Sequence, residues 1–376
     1  MKKMTAALLV LWMLLSACSA LGELGFAEIA KKNVNVRDSA GGKSLWQLNS
    51  PQSVYVFEEK TVGKHLWCHV STYIGKNPKT GWIRGDMLRF LSDEFYDVVN
   101  VIAGETYVMG LRSDGTVAIL GDDMPHAPCI QTVRKWKNIR EIGTYVCSAY
   151  GLTDKGIVRA VGLQANFDGM KASHIGEGYP YPLDAKGRFL YDEWKDVWKD
   201  NGNWQFWMGD SVLGNESISG IIGEYITPSY VLMKSGRAFV IEDAINTWRN
   251  VREVTADVPY IDLCGVNRHA FALRQDGRVE VVDSRCGDDG RGAGCAACAG
   301  AASWTDIVQL EASYECVLGR KSDGTVLYAG KNDRIRRQVA NWTNVIDIAA
   351  APECCIALFS DGSVAMAGHH HEGYFR

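Results

Sequence analysis

The sequence predicts an all-β chain in which a small barrel of short strands is followed by a β-propeller, with seven blades expected. Two observations carry this. Ser113-Asp114-Gly115-Thr116-Val117 returns as Ser322-Asp323-Gly324-Thr325-Val326 and as Ser360-Asp361-Gly362-Ser363-Val364, with looser copies around Gly156, Gly236 and Gly277. A phrase recurring at roughly 40 residues is the mark of a repeat architecture. Before residue 92 the chain instead shows short alternating runs separated by glycine turns, as strands do.

Residues 1–25 form a targeting segment. Lys2 and Lys3 precede an uncharged apolar run that includes Leu8, Leu9, Val10, Leu11, Trp12 and Met13. That run is too short for a spanning helix. It ends in Leu15-Ser16-Ala17-Cys18, which resembles a bacterial lipobox and implies lipid attachment at Cys18. The alternative is cleavage after Ala20 or Gly22, with Cys18 discarded. Both readings export the chain, to the cell surface by a lipid anchor or as a secreted protein.

Residues 26–91 are expected to be the small barrel. The diagnostic stretches are Asn33-Val34-Asn35-Val36-Arg37, Gly41-Gly42-Lys43, Val54-Tyr55-Val56, Trp67-Cys68-His69-Val70 and Gly81-Trp82-Ile83-Arg84-Gly85-Asp86. Their order resembles the bacterial SH3-like domain, which implies cell-wall peptide binding or a spacer. The resemblance places Trp67 and Trp82 in the core. Arg37 and Asp86 read as a polar pair, and Tyr55, His65 and Tyr73 as groove candidates.

Residues 92–376 carry the repeat. The turn glycines Gly115, Gly156, Gly236, Gly277, Gly324 and Gly362 are separated by 41, 80, 41, 47 and 38 residues. The double gap is expected to hide a degenerate unit around Gly202. Each unit reads as about three antiparallel strands joined by a tight glycine bend. Little chain follows Gly368, so the strand completing the last blade is expected from around 97–101. The pattern Trp-x-[Asn/Asp]-[Ile/Val], a pair of small residues, then Leu-x-Ser-Asp-Gly-x-Val resembles the regulator-of-chromosome-condensation repeat, best at 308–330 and 346–368. That resemblance implies a seven-bladed propeller, closer to a secreted bacterial branch that includes a propeller-type β-lactamase inhibitory protein. The tryptophans that open the units, Trp136, Trp248, Trp304 and Trp342, are expected in the seams between blades.

The chain carries a net charge of −4, which becomes −6 once Lys2 and Lys3 are removed. Phosphate neutralisation needs excess positive charge, so a nucleic-acid role is not expected. Ten of the 11 cysteines follow Cys18. Cys147, Cys264, Cys316 and Cys355 read as small buried hydrophobes, whereas Cys286, Cys295 and Cys298 fall in a Gly/Ala-rich insertion and are the disulfide candidates. No metal or other cofactor is expected. Asp122-Asp123 and Asp288-Asp289 are loop pairs, and His369-His370-His371 is a tail. No nucleophile elbow, zincin helix or phosphate loop occurs.

The chain is therefore expected to be a non-catalytic envelope or secreted binding protein, with a protein partner on a propeller rim. Blade-connecting loops gather at the rims, and the aromatic 163–191 segment, with Phe167, Tyr179 and Tyr181, is the first candidate surface. The alternatives are a wall-targeted glycan or peptide hydrolase with its site in the propeller mouth, a degenerate blade in place of the rim loop, and an inhibitor of a secreted enzyme.

Overall fold

Val34 and Val36 are buried while Asn35 and Arg37 between and after them stay half-buried. This two-residue period recurs through a seven-stranded sheet: β1 (Phe26–Ile29), β2 (Val34–Arg37), β3 (Ser44–Leu48), β4 (Ser53–Val62), β5 (His65–Thr72), β6 (Lys79–Arg84) and β7 (Leu88–Phe90). The strand order is β3-β2-β6-β5-β4-β1-β7. One apolar cluster, with Ile29, Val36, Val56, Val70 and Ile83 among its members, gathers side chains from both ends of that order. Residues 25–72, 79–104, 106–122, 129–145, 148–162, 165, 167–175, 177–178, 182–186, 218–224, 227–241, 251–254, 256–266, 269–284, 296–313, 316–351 and 354–368 are described by the structure, a computed structural model. The chain divides after Leu91 into two units.

The second unit is a succession of small sheets, antiparallel apart from one two-residue parallel pairing of Glu177 and Gly178 with Gly220 and Ile221. They are β8 (Val98–Ala103), β9 (Tyr107–Arg112) and β10 (Val117–Gly121); β11 (Ile139–Tyr145), β12 (Ser148–Thr153) and β13 (Val158–Gly162); then, beyond the two-residue strands β14 (His174–Ile175), β15 (Glu177–Gly178) and β16 (Pro182–Leu183), a sheet of β15, β17 (Ile218–Glu224), β18 (Thr227–Met233), β19 (Ala238–Ile241) and β20 (Val251–Val254). Three more follow: β21 (Tyr260–Val266), β22 (His269–Arg274) and β23 (Val279–Ser284); β24 (Ile307–Ser313), β25 (Cys316–Lys321) and β26 (Val326–Gly330); β27 (Val345–Ala351), β28 (Cys354–Phe359) and β29 (Val364–Gly368). Short helices α1 (Ile130–Val133) and α2 (Asp333–Val339) lead from one sheet to the next.

The apolar clusters lie between consecutive sheets, as in a propeller. Trp136 and Ile139 share a cluster with Tyr107, Met109 and Ile119 of the preceding sheet. Trp342, Val345 and Cys355 do the same with Cys316, Leu318 and Val326, and Trp304 packs where Phe271 and Leu273 meet Ile307 and Leu310. The tryptophans at 136, 304 and 342 thus fill seams, as expected; Trp248 lies outside the described residues.

Two backbone devices recur along the unit. Asp97, Asn138, Asp306 and Asn344 take positive φ of 54–61° just before an inner strand, a region that asparagine and aspartate tolerate. Their carbonyls accept the amides of Ser113, Asp154, Ser322 and Ser360 in their own sheets' turns. Several turn glycines then accept from the chain that follows, among them Ile139 N–H to Gly115 O, Ile307 N–H to Gly277 O and Val345 N–H to Gly324 O, at 2.9–3.0 Å.

Carboxylates on the inner strands add a second tie. Asp262 accepts Leu310 N–H of the following sheet at 2.9 Å. Asp347 accepts Val101 N–H and Asn100 Nδ2 at 2.9 Å, which joins the last sheet to the first. Residues 98–103 form the inner strand of the first sheet and pair with β9, so they do not complete the last one as the sequence suggested. Side-chain bonds close the circle there.

Residues 168–172 run along the open edge of β13, with Val158 N–H bonded to Met170 O and Gly169 N–H to Val158 O, both 2.8 Å. Ala172 N–H then meets Gly156 O at 2.8 Å, and Ile175 N–H meets Glu141 Oε2 at 2.9 Å. These two bonds repeat the glycine tie and the carboxylate tie seen elsewhere, so 172–175 stands where an inner strand begins. The described part of the 163–191 segment is sheet edge and strand start, which corrects the extended rim loop.

Candidate interaction surface

The rim that carries the recurrent turns is built by the phrase first seen in the sequence. Asp114 Oδ1 accepts both the amide and the hydroxyl of Thr116, at 2.8 and 2.6 Å. Asp323 holds Thr325 in the same way, and Asp361 holds Ser363. Gly115, Gly324 and Gly362 follow at φ 77–81°, where a side chain on Cβ would be strained. The Ser-Asp-Gly-[Thr/Ser] run is thus a side-chain-locked hairpin loop with glycine in the left-handed position. The hydroxyl bonds of Thr116, Thr325 and Ser363 come first among the causes that hold the Asp114, Asp323 and Asp361 carboxyls below the usual carboxylate range. All three are exposed and ionised at neutral pH.

Beside these turns, each inner strand begins with a bulge. The pairing shifts between Val98 and Asn100, Ile139 and Glu141, Tyr260 and Asp262, Ile307 and Gln309, and Val345 and Asp347. A bulge leaves one residue outside the ladder and turns its side chain. In four sheets that residue is apolar and exposed: Val99 (53%), Ile261 (49%), Val308 (41%) and Ile346 (48%). The residues that follow them are hydrogen-bonded from sheet to sheet. Asp262 reaches Leu310, Gln309 reaches Asp347 at 2.7 Å, and Asp347 reaches Asn100 and Val101. The four apolar side chains therefore follow one another along a single arc. In the second sheet the same position holds exposed Arg140. Tyr96, three residues before Val99, is 60% exposed, with the Arg112 guanidinium 4.5 Å from its ring centre.

Sequence reasoning missed this arc. Its signal was present: Val98-Val99, Tyr260-Ile261, Ile307-Val308 and Val345-Ile346 each put two apolar residues where strict alternation allows one.

Among the described residues, the expected site residues do not converge. Tyr55 and His65 are both half-buried, but Tyr55 pairs with Ser71 while His65 pairs with Val62 at the other end of the β4–β5 ladder. That is about 20 Å of strand, so the two share no groove. Trp67 is buried as expected. Trp82 instead is half-buried and stacks on His69, centroids 4.8 Å apart, with Phe57 at 4.2 Å on the other side of the imidazole. The Arg37–Asp86 pair does not form: Arg37 Nη1 donates to Gly42 O at 2.6 Å, and Asp86 binds Arg84 Nη2 at 2.9 Å. Phe167 is fully buried against Tyr150, which removes it from any contact surface. Cys298 is a core residue beside Cys264 and Ile307, its thiol donating to Ala329 O at 3.7 Å, rather than a loop clasp. Cys18, Tyr73, Tyr179, Tyr181, Cys286 and Cys295 lie outside the described residues.

The inner-strand acids have structural partners. Burial pushes the Asp262 and Asp347 carboxyls above their ordinary range, against the amide bonds that pull them down. Among the described residues, no three His, Cys, Asp or Glu side chains are placed to hold a metal ion.

No protein-family model and no curated protein sequence matches the chain. Solved structures similar to it include human WBSCR16, at 9% identity and a TM-score of 0.36, covering 93% of this chain and 100% of that one. Another is yeast RCC1 (Prp20) bound to Kap60, at 13% identity and a TM-score of 0.38, covering 78% and 73%. BamB from Moraxella catarrhalis matches at 11% identity and a TM-score of 0.24, covering 93% and 83%.

Proposed function

We propose that the chain is a non-catalytic binding protein of the cell envelope whose propeller rim holds a protein partner. The observation that carries the reading is the row of exposed apolar side chains at Val99, Ile261, Val308 and Ile346. Scattered apolar residues are normal on a surface, but aligned ones are a mark of interaction sites. The strands that present them are tied from sheet to sheet, so the surface is set before a partner arrives. Asp262 and Asp347 accept backbone amides of neighbouring strands, which favours a scaffold over a catalyst for these inner-strand carboxyls.

The finer parts of the reading are these. The ring has seven blades, the third begun by residues 172–175. Residues 26–91 are an SH3-like barrel that associates with cell-wall peptide, and Cys18 carries the lipid anchor. The test is affinity capture with the full mature chain from detergent-solubilised envelope and culture medium, beside purified wall fragments. A saturable protein partner supports the reading. Turnover of wall fragments with no captured protein overturns it.

A further inference from the structure

The exposed apolar arc is bordered by carboxylates. Asp276, Asp323, Asp361 and Asp114 stand in the turns of the sheets that supply Ile261, Val308, Ile346 and Val99, and Asp97 and Asp306 precede two of the same strands. All six are exposed. The basic groups among them are mostly committed. Arg274, whose side chain is only 11% exposed, bonds Asp276 and Glu280 at 2.9 and 2.7 Å. Arg112, equally covered, lies on the Tyr96 ring and donates to Glu94 O at 2.6 Å. Lys321 sits 4.0 Å from Asp306, and Arg278 is the basic side chain of these turns that stands well exposed. Apolar centre and acidic border thus occur together over the last three sheets and the first. In the second sheet Arg140, Lys137 and Lys155 hold the matching rim positions and are exposed.

We infer that this arc is a docking site for a basic amphipathic polypeptide segment, one with apolar side chains on one face and lysine or arginine flanking them. The inference rests on the binding role proposed above and names the chemistry of its partner. Apolar side chains of the segment cover Val99, Ile261, Val308 and Ile346, while its cations meet the turn carboxylates. The carboxylates steer encounter and choose the sign of the partner, and the covered apolar area supplies most of the affinity. The same acidic border disfavours an anionic lipid surface and nucleic acid, both of which need positive charge on the protein.

The test uses the full mature chain and three fluorescent 18-residue peptides: an amphipathic Lys/Leu peptide, its Glu/Leu counterpart and a Lys/Ser peptide without an apolar face. Anisotropy at 0.1 M salt is expected to show the Lys/Leu peptide binding at least tenfold more tightly than either control, and weakening several-fold at 0.5 M salt. Val308→Ser with Ile346→Ser is expected to weaken it at least fivefold. Asp323→Asn with Asp361→Asn, in which asparagine still accepts the Thr325 and Ser363 bonds and keeps the turns, is expected to reduce the salt dependence measurably. Circular dichroism melts of both variants establish that the fold is kept. Equal binding of all three peptides, or binding untouched by both pairs of substitutions, overturns the inference, as does preferential binding of phosphatidylglycerol vesicles. A captured envelope protein whose binding survives both pairs sinks this inference alone and leaves the broader binding role standing.

Discussion

Gly319 shows how one hydrogen atom sets a seam. A Cβ built there would lie 2.7 Å from Trp304 Cε3 and 2.8 Å from Cζ3, and Gly151 meets Trp136 at 3.0 Å in the same way. Trp304 and Trp136 rest on glycines of the middle strand, where a Cβ would crowd the ring, whereas the seam of Trp342 is built with Ala357. Gly319→Ala is therefore expected to destabilise the second unit by about 2 kcal/mol, the usual cost of overpacking a filled core, read as a lower urea midpoint. Asp262 gives the residue scale a pH signature. Its carboxyl is held above the ordinary range by burial, so the folded chain keeps that proton more tightly than the unfolded one. Its contribution is full below about pH 4, the unfolded value, and declines as pH rises through the raised folded value. Asp262→Asn is expected to flatten that part of the decline in melting temperature as pH rises above about 4. A slope identical to the parent's would contradict the assignment.

At the scale of elements, the strand–turn–strand unit was largely legible in the sequence, because its determinants are local. The Ser-Asp-Gly-[Thr/Ser] run specifies its own hairpin through side-chain bonds within three residues. The Trp-x-[Asn/Asp] run specifies both the seam ring and the left-handed residue after it. What was not legible depended on contacts between units. Phe167 read as a loop aromatic because nothing near it in sequence shows that Tyr150 receives it. Arg37 and Asp86 read as a pair by charge alone, whereas Arg84, two residues from Asp86, takes the carboxylate. Ring closure was misassigned for the same reason: Asp347 and Val101 are 246 residues apart, and no local signal joins them. Asp347 accepts from Val101, Asn100, Gln309 and Ile348. Removing it leaves several donors unmet at one junction. Asp347→Ala is expected to cost about 3 kcal/mol, and native-state hydrogen exchange is expected to show β8 and β27 losing protection ahead of β12 and β22.

For the whole second unit, repetition does two jobs. Equivalent ties at successive junctions make a stiff circle out of short strands that would not be stable singly. The bulge that makes room for each carboxylate tie also expels one side chain onto the rim, so the device that joins the sheets creates the surface they present. Where the expelled residue is valine or isoleucine, neighbouring sheets add up to an apolar arc. Where it is Arg140, the arc stops. A surface made this way is changed by single substitutions at bulge positions with little effect on folding.

The most direct measurement is site-specific photo-crosslinking of the intact chain in the cells that make it, with a benzophenone amino acid placed singly at Val308, Ile346 or, as a control on the N-terminal unit, Lys60. Discrete adducts of one added mass from positions 308 and 346, absent from position 60, are the outcome the binding role requires. Adducts from position 60 alone, or from none of the three, would contradict it.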